Sequence, residues 1–446
     1  MKNYKYILGK LWVSGLVVCM GTACNDYDIT DVPYEKTDST GVALITPPAV
    51  SSDWDLEPIS NAGQQAKGVF AYKDKKYDKL FTRSLGWNGG DGVYSTALPD
   101  GNTFWSFCDS FYGTVEEETR MRPADCNNFP RNSIMVQTGE DRDNQLIWLA
   151  DYVQTAHPDK DGYYKARTYL RHPMAKLTDE EIRNGKTDED YVYWTGDATV
   201  YTDEAGVQTL QVIWGGVDLK NDNAPAGCCL TEHSLEGKPG DGTYMKLVSR
   251  DDNFHTGQKY YGNTLYEDED GHTYLYGQGS NYEIIVARSR THDLKSPWEY
   301  YIRNVDGDFE WQATPPGNTE IERSGIAKDC SLANVFKKGG TYYMVGQGSY
   351  FDKAVYIYRS ETPYGPFTDR KVLFVVPGTI DKLGDQHLYT LYNIFLHPQF
   401  SRVGELVFSI NASCEDFSDN FNRKGSADFY RPYFFRIFNW ENVYEE

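Results

Sequence analysis

The chain has 446 residues, with 44 Lys and Arg against 65 Asp and Glu, for a formal net charge of −21. That acidity disfavours nucleic acid and anionic lipid as partners, because both need a basic footprint. A charged fraction of 24% excludes a polytopic membrane protein, and 15% aromatic residues exclude a disordered chain.

Residues 1–23 read as a lipoprotein signal peptide. Lys2, Lys5 and Lys10 give a positive start, and the apolar stretch 11–20 is too short to cross a bilayer. Small residues Gly21, Thr22 and Ala23 then precede Cys24, the expected lipidation site. The expected location is the outer membrane of a Gram-negative bacterium, facing the surface or the periplasm. Residues 24–66 read as a disordered acidic tether, with eight acidic residues and one Lys between Asn25 and Glu57. Cleavage removes Cys19 and acylation uses Cys24, which leaves Cys108, Cys126, Cys228, Cys229, Cys330 and Cys414. No CxxC or Cys/His spacing points to zinc. The adjacent Cys228 and Cys229 read as buried thiols.

Residues 67–446 are expected to form one all-β domain, a five-bladed β-propeller. A strand–turn–strand unit recurs five times, at 91–98 and 103–109, 197–201 and 209–215, 263–266 and 273–278, 329–336 and 341–347, and 393–397 and 406–411. Further strands are expected at 133–136, 284–288, 355–359 and 433–438. The segment 83–87 is expected to complete the ring beside the C-terminal strands. Radial sheets hide strand edges and leave a central channel. Two β-sandwiches are the competing architecture. Thr178 and Glu181 form a capping box that predicts a short helix inside a long insertion.

The first unit carries the chemistry. Asp91 lies nine residues before Asp100 at the turn and Asp109 nine after, so pairing centred on the turn sets Asp91 opposite Asp109. Opposed residues have Cβ atoms about 4.5–5.5 Å apart, where like charges destabilise a sheet. A carboxyl pair is what glycoside cleavage requires, and a separation of about 5–5.5 Å belongs to the retaining mechanism. The other units place Asp197, Asn263 with Gln278, Asp329 with Gln347, and Asn393 with Asn411 at what read as corresponding ends, suited to binding sugar hydroxyls. Trp87, Asn88, Arg131 and Asn132 flank the pair as further substrate contacts, with Trp194, Trp214 and Tyr261 near them. No metal-ligand set is evident and no cofactor is required, although the central channel leaves room for calcium. His387 and His397 receive no role.

Gly90-Asp91-Gly92, Leu98-Pro99-Asp100-Gly101 and the run from Trp105 to Asp109-Ser110 resemble the opening of the endo-D-arabinanase β-propeller hydrolases and their lipoprotein relatives. Val286-Ala287-Arg288-Ser289, Ile357-Tyr358-Arg359-Ser360 with Pro363 to Phe367, and Tyr392-Asn393 through His397-Pro398 to Asn411 look like later-blade motifs of five-bladed arabinan-active hydrolases. The likeness spans roughly residues 81–440. It implies retention, with Asp91 as acid/base and Asp109 as nucleophile. The larger arabinanase and xylosidase family opens its third blade with a Glu acid. Here that opening is Tyr261-Gly262-Asn263, which departs from that mechanism, and Cys108 stands where relatives often carry Gly. The expected protein is a monomeric, lipid-anchored glycoside hydrolase acting on a furanose-rich, arabinan-like polysaccharide. The alternative is a non-catalytic glycan-binding surface lipoprotein of the same fold.

Overall fold

The computed structural model describes residues 55–445, apart from segments at 60–65, 139–145, 149–151, 155–163, 256–260, 377–381, 384–386 and 402–403 and single positions 185 and 415. The signal peptide, Cys24 and most of the expected tether lie outside the described residues.

Strands dominate, arranged as antiparallel meanders. The first sheet pairs Tyr94–Ala97, Thr103–Phe107, Ser133–Gln137 and Leu146–Trp148 in that order. The second runs Tyr191–Thr202, Gln208–Asp218, Ala224–Ser234 and Leu247–His255. The third has five strands, Thr264–Glu267, Thr273–Gln278, Ile284–Ser289, Trp298–Arg303 and Phe309–Gln312. The fourth is Ser331–Lys338, Thr341–Gln347, Ala354–Ser360 and Thr368–Val375. The expected hairpins are therefore present. Two of their turns are Asp-Gly pairs, where Gly101 and Gly271 adopt φ of 84° and 88°, angles that few other residues tolerate. The capping box also forms: Glu181 N donates to Thr178 Oγ1 at 3.2 Å and opens the helix Asp179–Arg183. Among the described residues Cys108, Cys228, Cys229, Cys330 and Cys414 are free thiols, and Cys228 and Cys229 are buried.

The first strands of successive sheets are clipped together by polar side chains. Thr96 Oγ1 donates to the Ala198 carbonyl at 3.2 Å, joining the first sheet to the second. Leu265 N donates to Asp197 Oδ2 at 2.9 Å, joining second to third, and Thr264 Oγ1 donates to the Ala333 carbonyl, joining third to fourth. Asn334 Nδ2 donates to the Ile394 carbonyl at 3.1 Å, while Leu396 N donates to Asn334 Oδ1 at 3.0 Å. Ile394 and Leu396 belong to the fifth sheet, which returns to the first through Ser95 Oγ and His397 Nδ1, 2.6 Å apart. The contacts thus run in a cycle. Inside it is a cavity lined by residues of all five first strands, among them Tyr94, Asp197, Thr264, Asn334 and Phe395.

The fifth sheet uses both ends of the chain, in the order Leu56–Pro58, Phe70–Asp74, Pro432–Phe438, Glu405–Cys414, His387–Leu396, Lys382–Leu383. Two expectations change here. The strand beside the C-terminal segment is Phe70–Asp74, not 83–87. Leu85–Gly90 pairs instead with Ser110–Thr114 in a separate small sheet. Leu56–Pro58 is also a strand, paired with Phe70–Asp74, within the range read as tether.

Arg436 holds that junction. Its Nε and Nη1 lie 2.6 Å from Asp74 Oδ2 and 2.6 Å from Glu405 Oε1, across three neighbouring strands, with all three side chains buried. Asp74 also caps the helix Lys75–Leu80 by accepting from Tyr77 N at 3.0 Å. Removing one member of a buried ion cluster leaves the others uncompensated, at a cost of about 3–5 kcal/mol. Arg436→Met should therefore lower the free energy of unfolding by about that amount in a denaturant titration. A loss below about 1 kcal/mol would show that the triad does not hold the closure.

Candidate active site

The carboxyl pair sits where the first hairpin passes from one sheet into another. Its inner half belongs to the first sheet, with Tyr94 opposite Ser106. Its outer half, Leu85–Gly90 and Ser110–Thr114, forms the small sheet, with Gly90 opposite Ser110. Between these registers Asp91 N donates to the Asp109 carbonyl at 3.1 Å, and Cys108 N donates to the Asp91 carbonyl at 2.8 Å. Both ladders are centred on the Asp100 turn, and the two aspartates face one another across the bend. Gly92 makes the bend, at φ 60°; a Cβ there would lie 2.4 Å from Cys108 Sγ. Only glycine fits between the acid and the thiol.

The two carboxyls have different partners. Asp91 Oδ2 accepts from Tyr392 Oη at 2.8 Å and Tyr430 Oη at 3.1 Å. Its Oδ1 is buried and has no hydrogen-bond partner among the described residues. Asp109 Oδ1 accepts from Trp194 Nε1 at 3.3 Å. Arg131 Nε stands 3.0 Å from the same oxygen, an ion pair by distance without hydrogen-bond alignment. Arg131 lies over the Phe129 ring, 5.1 Å from its centroid.

These surroundings separate the two acids. Desolvation first, and the Asp109 charge second, push Asp91 up to about 7 despite the two phenol donors. Burial also raises Asp109, opposed by Arg131 and then by the Trp194 indole. With a cation beside Asp109 and only phenols bonded to Asp91, a shared proton rests on Asp91 and the charge on Asp109. Burial and the adjacent acid keep both tyrosines protonated, so they remain donors.

Tyr430 is held in a left-handed conformation, φ 61°. Its carbonyl accepts from Gly90 N at 2.5 Å and its amide donates to Ala412 O at 2.8 Å. Gly89 allows that approach, since a Cβ there would meet both the Tyr430 carbonyl and Arg122 Nη2 at 2.8 Å. Arg122, fully buried, donates to Asn88 Oδ1 at 2.8 Å, Asn420 O at 3.0 Å and Ser426 O at 3.1 Å. It fastens the segment that carries Tyr430 against the strand that carries Asp91.

Several expected substrate contacts are placed elsewhere. Trp87 is fully buried against Phe81 and Phe107, and Asn88 is committed to Arg122 and Asn127. Asn132 is also buried, with its amide bound to the carbonyls of Leu170 and Tyr193 and to Leu170 N. None of the three can meet a ligand. Asn411 is buried and donates to the Gly90 carbonyl at 2.9 Å. Gln278 and Gln347 turn back to main-chain carbonyls, Gln278 to Glu283 at 3.0 Å and Gln347 to Asp352 at 2.6 Å.

The ends read as corresponding to Asp91 also do not align. The first strands are bulged between Thr195 and Ala198, Ser331 and Asn334, and Tyr392 and Phe395. A bulge shifts later side chains relative to the partner strand. Asp197 and Asn393 fall within bulges, while Asp329 is exposed and precedes its strand. Asn263 lies half-buried just before its strand. Of the four, Asp197 lines the central cavity, where burial pushes it up to about 7 against main-chain donors Leu265 N and Ala198 N. It is the one carboxylate among that cavity's lining residues. Among the described residues no group of three or more His, Cys, Asp or Glu is placed to hold a metal. His397 lies between the Ser95 and Ser409 hydroxyls, and burial lowers it to about 3, so it stays neutral.

The pair has a stability signature. Asp91 is protonated up to about 7 when folded, against an ordinary 3.8. Between those values the native state holds a proton that the unfolded chain has released, so stability falls as pH rises through that window. Asp91→Asn removes the burial cost without changing shape. It should stabilise the protein by about 1–3 kcal/mol at pH 8 and by little at pH 4, read from thermal melts. Destabilisation at pH 8 would show that Asp91 is not held unfavourably.

Over residues 74–440 the sequence matches the family described as a domain of unknown function, DUF5005. No curated protein matches it. Among solved structures it is similar to a protein of Bacteroides ovatus ATCC 8483, provisionally assigned as a hydrolase. The two are 52% identical, with 90% of this chain and 98% of that chain covered and a TM-score of 0.84. An α-L-arabinanase of Cellvibrio cellulosa, complexed with arabinohexaose, is 12% identical over 79% of this chain and 91% of its own, at a TM-score of 0.38. A GH43_1 enzyme of Xanthomonas citri is 12% identical over 81% of this chain and 91% of its own, at 0.39. Neither of these two distant likenesses bears on chemistry. With most of its length matched, the chain belongs to the DUF5005 family.

Proposed function

We propose that the protein is a glycoside hydrolase whose five main sheets form a five-bladed β-propeller, with Asp91 and Asp109 as its catalytic pair. One observation carries the reading: two desolvated, opposed carboxyls, one beside a cation and the other bonded only to phenols. The cyclic clips between first strands support the architecture. The name given to the Bacteroides ovatus relative agrees with hydrolysis.

In the proposed reaction Asp109 is the nucleophile. Its carboxylate attacks the anomeric carbon while Asp91 gives its proton to the departing glycosidic oxygen, so one C–O bond forms as the other breaks. Asp91, now ionised, takes a proton from water, which attacks the anomeric carbon and frees Asp109. Arg131 and Trp194 keep Asp109 charged and oriented. Tyr392 and Tyr430 hold Asp91 Oδ2, leaving Oδ1 to carry the proton. The proposed substrate is a furanose-rich, arabinan-like polysaccharide, and the proposed anchorage is a lipid on Cys24. No helix among the described residues is long and apolar enough to cross a membrane.

Asp109→Ala should lower kcat by at least about 10³-fold on every substrate, because no covalent intermediate can form. Asp91→Ala should be milder on aryl glycosides with good leaving groups, and azide should partly restore it. Proton NMR of early product should show retention; inversion would overturn the nucleophile assignment and leave a hydrolase. Wild-type turnover in either variant would remove the pair from catalysis, whereas binding of polysaccharide without turnover by the native chain would leave a glycan-binding protein. For the native enzyme kcat/KM should fall as pH rises through about 7, where Asp91 loses its proton.

Cys24→Ala should move the protein from the membrane to the soluble fraction of fractionated cells, with its melting curve unchanged. Retention in the membrane fraction would rule out the lipid as its anchor.

A further inference from the structure

The third and fourth sheets carry the same loop at the same place. Residues 278–283 read Gln-Gly-Ser-Asn-Tyr-Glu and residues 347–352 read Gln-Gly-Ser-Tyr-Phe-Asp. Each follows the second strand of its sheet and leads to the third. Each is braced alike. Gln278 Nε2 donates across its loop to the Glu283 carbonyl at 3.0 Å and onward to the Cys330 carbonyl at 3.3 Å. Gln347 Nε2 donates to the Asp352 carbonyl at 2.6 Å and onward to the Leu391 carbonyl at 3.2 Å. The glutamines thus fix each loop to the next sheet in the cycle. In the first loop Asn281 and Tyr282 are both left-handed, at φ 53° and 57°, and the Tyr282 carbonyl is tied to Cys330 N at 2.9 Å.

What these rigid loops present is aromatic and bare. Tyr282 and Phe351, which occupy the same position in the two loops, are 41% and 62% exposed, and Tyr350 beside them is 38% exposed. Tyr282 and Tyr350 meet edge to face, with centroids 5.8 Å apart, so the two loops make one rim. Phe351 then meets Tyr392, 6.1 Å away, whose hydroxyl donates to Asp91. Exposed apolar rings on a braced backbone lose little conformational freedom on binding. The rim is therefore continuous with the carboxyl pair and leads away from it over two sheets.

We propose that Tyr282, Tyr350 and Phe351 form a distal stacking track for the sugar chain, so that the protein grips an extended polysaccharide and not merely the units at the scissile bond. This rests on the glycoside hydrolase reading. Aromatic faces pack against the C–H faces of sugars while their surroundings stay wet, which suits a solvated polymer better than a buried protein partner.

The test uses the full chain carrying Asp109→Asn, which keeps the shape of the site and stops turnover. It is titrated calorimetrically with soluble arabinan and with arabinobiose. Adding Tyr282→Ala and Phe351→Ala should weaken arabinan binding by about ten- to hundredfold and arabinobiose binding by less than about threefold. The melting temperature should be unchanged, because both rings are exposed. Unchanged arabinan affinity overturns the track. Equal losses on both ligands also overturn it, because the rings would then be acting at the scissile units. If the Asp109→Asn parent binds neither ligand, the arabinan reading falls, and the track as proposed falls with it.

Discussion

Two carboxyls on facing strands, short of water, set the conditions for the rest of the site. Their repulsion must be absorbed, and the protein divides the load unequally. Arg131 and the Trp194 indole are assigned to Asp109, while Asp91 receives two phenols, which bond without adding charge. That asymmetry makes one group an acid and the other an anion at the same pH. Like-charge pairs bonded identically would share a proton with no assigned owner.

Positioning this asymmetry takes residues from distant parts of the chain. Tyr392 comes from the fifth sheet and Tyr430 from an irregular segment before the last strand. Trp194 comes from the second sheet, and Arg131 from the connection into the third strand of the first. Buried Arg122 acts behind them, gathering carbonyls of the 420–429 segment so that the Tyr430 hydroxyl reaches Asp91. The Asn88 carboxamide, a neighbour of Asp91 in sequence, is part of that clamp.

The hairpins and the facing of Asp91 and Asp109 were legible because turn chemistry and strand period together fix register. Asp-Gly turns and alternating Tyr, Val and Ile leave little freedom. The bulges were not legible. Nothing in Thr195–Ala198 or Tyr392–Phe395 marks an extra residue, so Asp197 and Asn393 were matched to Asp91 without allowing for the shift of register. Trp87 and Asn88 failed for a related reason: the chain changes sheets at Gly92, so Trp87 turns into the core beside Phe107 and Asn88 turns to Arg122. Tyr430 had no periodic context, and only its left-handed backbone, visible in the fold, marks it. The closing strand Phe70–Asp74 was missed because its partner is supplied from the far end of the chain.

That last pairing bears on how the protein can be made. Arg436 and Asp74 are 362 residues apart in sequence, and the entropy of closing so long a loop grows only logarithmically with length. The closure is therefore affordable, but it comes late. Until Pro432–Phe438 docks between them, Phe70–Asp74 and Glu405–Cys414 are unfilled edges. Contacts of such long range slow folding. Loss of the final fifteen residues would remove a central strand of the fifth sheet, and with it the cation that two buried acids share. The closure of the fifth sheet thus depends on the strand Pro432–Phe438.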